Sequence, residues 1–206
     1  MPLDHIDKII TAKSPVNNAT LRTLAMIPTQ HLTTLVDKDF ITRLTDKDFM
    51  RIAVLLAKKG YDEGGCAIGG LVLDNESRMI LGKGHNRHVQ QSRVYWHGET
   101  DAINDAGTHI DFSKTTLFTT LTPCSVCTAL TYSQSFHRLV IGNRLGGVNQ
   151  ENEDLLRAKG VIVDILEDEE GKGLYAKYAA EKPEQDTRDW QGQAGVARMS
   201  DHKDKH

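Results

Sequence analysis

Apolar residues recur at helical spacing at Phe49, Ile52, Ala53, Leu56 and Ala57, the period of a helix that buries one face. Thr45-Asp46-Lys47-Asp48 places an acidic residue three after a threonine, a capping-box-like start. Gly60 is the expected stop. The pattern then changes. Gly64-Gly65 predicts a turn, and Cys66 to Leu73 is a continuous apolar run that predicts a buried strand. Asp74-Asn75-Glu76-Ser77 reads as a hairpin turn, with residues 79–86 as the partner strand. Residues 87–96 are a polar loop ending in Tyr95-Trp96. A helical run from Glu99 to Ala106 is closed by Gly107. Thr115 to Leu121 is rich in β-branched residues and predicts a strand. A helix to about Gln134, a strand over 138–142, a helix over 152–159, a strand over 161–166 and a helix through Leu174, Tyr178 and Ala179 follow. Five strands alternating with helices predict an α/β class fold: a three-layer α/β/α domain on a mixed, partly parallel sheet. The chain after Pro183 is polar apart from Trp190.

Before this domain, residues 21–27 predict a short helix stopped by Pro28, and His31 to Leu44 a weaker amphipathic pattern. The expected organisation is an N-terminal helical extension over 1–44, an α/β domain over 45–190 and a polar C-terminal tail over 191–206. The extension carries no chemical motif, so packing or a cap facing a partner is its expected role.

Composition narrows the classes. The chain has 206 residues, enough for one domain with a real core, of which 26% are charged and 39% hydrophobic. Net charge is −3 and the pI about 6.3, which argues against a nucleic-acid binder. The apolar runs are too short for a membrane span. Asp4, His5, Asp7 and Lys8 do not read as a signal peptide. Three cysteines suit a reducing, cytoplasmic compartment without a disulfide framework.

The chemistry concentrates between His97 and Cys127. His97-Gly98-Glu99 opens this stretch, and Thr122-Pro123-Cys124-Ser125-Val126-Cys127 closes it. His97, Cys124 and Cys127 are zinc-ligand types, and three protein ligands leave the open position of a catalytic ion. Glu99, two residues after the histidine, is a carboxylate close to the metal that need not bind it. Pro123 is expected at the first position of a helix. That puts Cys124 and Cys127 on one face of a first turn, where the helix dipole favours thiolate. His97 likewise opens a helix, so two helix N-termini are expected to face one ion. A C-x-x-C alone also fits a redox pair or half of a structural zinc site. The structural site would need a fourth ligand, and Cys66 sits in an apolar run that reads as core. H-x-E with P-C-x-x-C is the signature of zinc deaminases, the glutamate carrying protons.

From about Tyr61 to Trp190 the chain resembles the fungal-type cytosine deaminases of the zinc-dependent cytidine deaminase superfamily. The resemblance rests on Glu63-Gly64-Gly65, Ile68-Gly69-Gly70, Gly84-His85-Asn86, His97-Gly98-Glu99, Thr119 to Cys124 and Cys127-Thr128, with the spacing from Asn86 to His97. It implies a cytidine deaminase-like fold, one Zn2+ per subunit on His97, Cys124 and Cys127, and Glu99 as proton shuttle. It implies further that Asn86 hydrogen-bonds the base, Ile68 packs on the ring, the Gly98 N–H and Leu121 carbonyl read its polar edge, and Trp190 closes the pocket. The Cys124 N–H would help position the reacting oxygen. The implied reaction is hydrolytic deamination of a free nucleobase, first of all cytosine to uracil and ammonia, by zinc-activated hydroxide. Isocytosine, a modified cytosine or another amino-heterocycle is the alternative. A tRNA adenosine deaminase and an inactive zinc-binding subunit stand further back. Two departures bear on the substrate. Gln193 stands where the family has an aspartate that contacts the exocyclic amine, and residues 142–148 lack the stacking phenylalanine. Family members are homodimers or larger, so at least a homodimer is expected. The expected partner is a small nucleobase, with neither nucleic acid nor membrane.

Overall fold

The computed structural model describes residues 8–144 and 150–189. Five strands form one sheet in the order β2-β1-β3-β4-β5. They are β1 (Gly69–Asp74), β2 (Ile80–His85), β3 (Thr115–Leu121), β4 (Arg138–Asn143) and β5 (Ile162–Ile165). β1 pairs antiparallel with both β2 and β3, whereas β3–β4 and β4–β5 are parallel. The mixed sheet agrees with the expectation from the sequence. All seven residues of β3, the central strand, are buried.

Side chains alternate between the two faces of a strand, and the core divides accordingly. Leu71, Leu73, Phe118 and Val140 pack with Phe49, Met50, Ile52 and Ala53 of α4 (Asp46–Asp62). Val72, Leu117, Leu139 and Ile141 face the other way, against Ala102 and Ile103 of α6 (Gly98–Ala106) and Leu156 of α8 (Gln150–Ala158). The helix α9 (Glu169–Glu181) lies beside α4, and α7 (Ser125–Ser133) lies beside α6 and α8. Three layers result.

The Thr45 capping box forms as expected. The helix does not stop at Gly60. It runs to Asp62, and Gly64 takes the left-handed turn at φ +94°. Gly60 is needed for close packing instead, since a Cβ there would lie 3.0 Å from the His85 ring. One further expectation needs correction. Cys66 to Ile68 leads into β1 without joining the strand. The polar segment after Pro183, for which the sequence predicts no element, forms a short helix, α10 (Pro183–Asp189). Residues 88–91 of the polar loop also make one helical turn, α5 (His88–Gln91).

The N-terminal extension contains α1 (Asn18–Met26), α2 (Leu32–Leu35) and α3 (Lys38–Ile41), so the pattern over 31–44 resolves into two single turns. Leu21, Leu24, Leu32, Phe40 and Ile41 belong to the same apolar cluster as α4 and the sheet. Lys83, in the edge strand β2, fastens the extension. Its Nζ donates to the Leu24 and Ala25 carbonyls at 2.8 and 3.2 Å and also to the Ile27 carbonyl. Burial lowers the Lys83 pKa to about 8, against the raising influence of Asp105. Lys83→Met keeps the apolar stem and strands those acceptors, so about 1–3 kcal/mol of stability should be lost. Thermal unfolding checks this, and an unchanged Tm would contradict the fastening role.

Candidate metal and active site

Strand register brings the predicted residues to one end of the sheet. Gly70 pairs with Thr119 and Gly69 with His85, so the residues just outside these pairs, Ile68, Asn86 and Leu121, converge. The Asn86 N–H donates to the Ile68 carbonyl at 2.8 Å. Helix α6 lies directly on this edge because the strands beneath carry glycine where it touches them. A Cβ on Gly70 would come within 2.5 Å of the Gly98 oxygen, and one on Gly84 within 2.3 Å of the Ala102 nitrogen. That approach seats His97 and Glu99 against β3.

His97 is the N-cap of α6 and Cys124 the N-cap of α7, so two helix N-termini do face one point. Pro123 therefore stands outside the helix, contrary to expectation. Cys124 takes the cap because its sulfur accepts from the Cys127 N–H at 3.5 Å. Cys127 lies in the first turn. The preceding turn is fixed by the Thr122 N–H donating to the Asn143 carbonyl at 3.0 Å and by Asn152 Nδ2 donating to the Pro123 carbonyl at 3.1 Å.

His97 Nδ1 lies 3.4 Å from the Cys124 sulfur and 3.4 Å from the Cys127 sulfur. The three donor atoms all lie within 4.8 Å of one another. A tetrahedral zinc with bonds of about 2.3 Å to sulfur and about 2.05 Å to nitrogen sets its N···S edge at about 3.6 Å. One imidazole nitrogen and two sulfurs at these separations fit that ion. The thiols shift in opposite directions. Cys124 is drawn down to about 3, first by the hydrogen bond from the Cys127 thiol, with His97 adding to it. Cys127 is pushed well up by that same bond and by burial. A zinc ion held by His97, Cys124 and Cys127 would favour both sulfurs as thiolates. Burial works against a charged His97, but Cys124 and the nearby acids outweigh it, so its pKa rises.

Glu99 is 3% exposed. Burial raises its pKa first and the Cys124 charge second, with His97 opposing both. Thr119 Oγ1 lies 3.0 Å from Glu99 Oε1 and 3.0 Å from the Leu121 carbonyl oxygen. Its one proton serves one acceptor at a time. Ile68, Asn86, His97, Glu99 and Cys124 line one small cleft. Trp190, Gln193 and residues 145–149 lie outside the described residues, so the expected tryptophan contact and most of the altered loop do too.

Sequence reasoning missed several participants. Cys66, read as core, is buried and also lines the cleft, as does Thr122. Asp101 is buried and ties three segments together: it accepts from the His85 N–H at 3.0 Å and Trp96 Nε1 at 2.6 Å, and pairs with Arg87 at 2.9 Å. Its spacing of four from His97 was the available signal, since it puts both in the opening turns of one helix. His88, which no sequence motif marks, stands 3.0 Å from Asp189, which lines the cleft.

A three-donor zinc site at helix caps, with a buried carboxylate beside it at the end of an α/β sheet, defines a zinc-dependent hydrolase of the deaminase kind. Residues 43–143 match the cytidine and deoxycytidylate deaminase zinc-binding region. Over 148 residues the chain is 37% identical to a cytosine deaminase of Candida albicans, covering 71% of this chain and 94% of that protein. It is 32% identical over 96 residues to a tRNA-specific adenosine deaminase of Haemophilus influenzae, covering 45% of this chain and 55% of that one. A guanine deaminase structure from Nitrosomonas europaea superposes with a TM-score of 0.59 at 21% identity, over 66% of this chain and 85% of that chain. The chain belongs to the zinc-dependent cytidine and deoxycytidylate deaminase family.

Proposed function

We propose that this enzyme hydrolyses cytosine to uracil and ammonia. The observation that carries the substrate is the likeness to the Candida albicans cytosine deaminase along nearly the whole of that protein. The small cleft, lined by Ile68 and Asn86, supports a free base. Bound zinc supplies Lewis-acid activation of a water molecule near neutral pH. Glu99 takes one proton from the water as its oxygen adds to the amine-bearing carbon, and delivers that proton to the adjacent ring nitrogen. It then takes the proton left on the added oxygen and passes it to the amine. The C–O bond forms before the C–N bond breaks, and one water is consumed per ammonia released. Thr119 keeps the Glu99 carboxylate in place. Ile68 covers the ring face. The Gly98 N–H and the second lone pair of the Leu121 carbonyl, with the Asn86 amide, hold the polar edge. The Cys124 N–H helps place the attacking oxygen. Ammonia release by zinc-loaded protein from cytosine, 5-substituted cytosines, isocytosine, cytidine, adenine and guanine tests this reading. Silence on cytosine with release from another base would overturn the substrate.

The enzyme acts as a homodimer in this reading. A groove between α6 and α7 is lined by Tyr95, Val126, Ala129 and Leu130 together with the polar Thr100 and Asn104 of α6, with Tyr95 67% and Val126 42% exposed. Sedimentation velocity should give twice the chain mass, and Val126→Glu should shift it toward one chain mass. A cytoplasmic setting is supported by the free state of Cys66, Cys124 and Cys127. Among the described residues no helix is long and apolar enough to cross a membrane. Residues 1–44 serve as an extension of the deaminase domain over 45–190, followed by the tail over 191–206; the core shared between α1 and α4 supports counting the extension with that domain.

A further inference from the structure

Asp189 ends α10, and its side chain is 6% exposed. It lines the same cleft as Asn86, His97 and Glu99. Its two oxygens differ. Oδ2 accepts from the Tyr178 hydroxyl at 2.6 Å. Oδ1 is buried and makes no hydrogen bond. His88 Nδ1 stands 3.0 Å from it, an ion-pair distance, but that nitrogen makes no hydrogen bond either, so the two groups are near without being aligned. A buried carboxylate oxygen without a donor is costly, and here it sits at a ligand cleft.

The seat of this carboxylate is fixed from several sides. Tyr178 is fully buried. The Tyr175 hydroxyl donates to Asp186 at 2.6 Å. Lys182 Nζ and Gln185 Nε2 donate to the Gly64 carbonyl at 2.8 and 3.1 Å, which ties α10 to the turn leading into Cys66 to Ile68 on the cleft wall. Burial raises the Asp189 pKa, and the Tyr178 bond and the neighbouring His88 oppose that rise. The Asn86 side-chain oxygen accepts from the His88 N–H at 3.0 Å, which leaves the Asn86 amide hydrogens as donors. The cleft therefore offers a fixed donor and a fixed, unused acceptor.

We infer that Asp189 is a specificity-determining residue: its Oδ1 accepts a hydrogen bond from an N–H of the bound base. The inference rests on reading the cleft as a free-base site. It selects bases that carry a ring N–H or amine donor beside an acceptor for Asn86.

Calorimetry on zinc-loaded protein, with Glu99→Gln to block turnover, gives the affinity for cytosine, isocytosine, guanine and adenine. Adding Asp189→Asn should weaken the best-bound base about 10- to 100-fold, the range for a lost hydrogen bond to a charged group, and narrow the spread among the four bases. Zinc content should not change. His88→Ala, which removes the other neighbour of Oδ1, should change affinity by less than about threefold. Unchanged affinity in the Asp189→Asn protein overturns the inference, as does equal weakening for every base with a lowered Tm, the mark of a clasp for α10. Binding of none of the four bases overturns it as well. Ammonia release by the wild-type enzyme on the same panel separates the two readings: release from guanine and not from cytosine would remove the cytosine assignment and leave the Asp189 result standing.

Discussion

Zinc-loaded Glu99→Gln protein should keep its metal and lose about 10²- to 10⁴-fold in kcat, the usual contribution of a positioned acid/base group. The argument is geometric. Glu99 is buried beside the donor set and its Oε1 is held by the Thr119 hydroxyl at 3.0 Å. Neither oxygen is needed for the metal, because one nitrogen and two sulfurs already make the three-ligand set. Glutamine has the same shape and can accept from Thr119, but it cannot take up a proton. The packing around α6 is therefore preserved and only the proton transfer is removed. Zinc content by atomic absorption and ammonia release at saturating cytosine are the two readouts. Near-normal turnover would end the proton-shuttle role, whereas loss of zinc would place Glu99 among the ligands.

Cys127→Ala should lose both the metal and the activity. Cys127 is fully buried in the first turn of α7, with its sulfur 3.4 Å from His97 Nδ1. Two remaining donors do not make a catalytic zinc site. Metal that binds only the folded state stabilises it in proportion to its saturation, about 4 kcal/mol at a thousandfold excess over Kd. For a chain of this size that corresponds to a Tm lower by on the order of 10 °C. Wild-type protein stripped by a chelator should match the variant in Tm, and zinc should restore only the wild type. Stoichiometric zinc in Cys127→Ala protein, or an unchanged Tm on chelation, would contradict this.

How legible the chain was depended on the range of each interaction. The α4 cap was readable because Thr45 and Asp48 satisfy each other within one turn. The end of α4 was misread because Gly60 answers to His85 and the Cys66 carbonyl, distant in sequence and close in space. Pro123 was placed inside α7 on helix statistics, but the capping group is the Cys124 sulfur, an unusual acceptor. The segment Pro183–Asp189 shows no apolar period from which a helix could be read, and in the fold Asp186 and Asp189 each accept from a tyrosine hydroxyl of α9.

The sequence by itself determined the chemistry. His97, Glu99, Cys124 and Cys127 are recognisable from residue type and short spacing, because few side chains bind zinc and a turn of helix fixes two of them together. It also determined the five strands and their alternation with helices, since hydrophobic period is a local property. Tertiary structure alone decided what surrounds the metal. Register across β1, β2 and β3 brought Ile68, Asn86 and Leu121 to one end. Glycines in β1 and β2 let α6 lie on the sheet, and α10 carried Asp189 into the cleft from the far end of the described chain. The reason is that these contacts join residues tens of positions apart, and their energy comes from burial and pairing that no local pattern records.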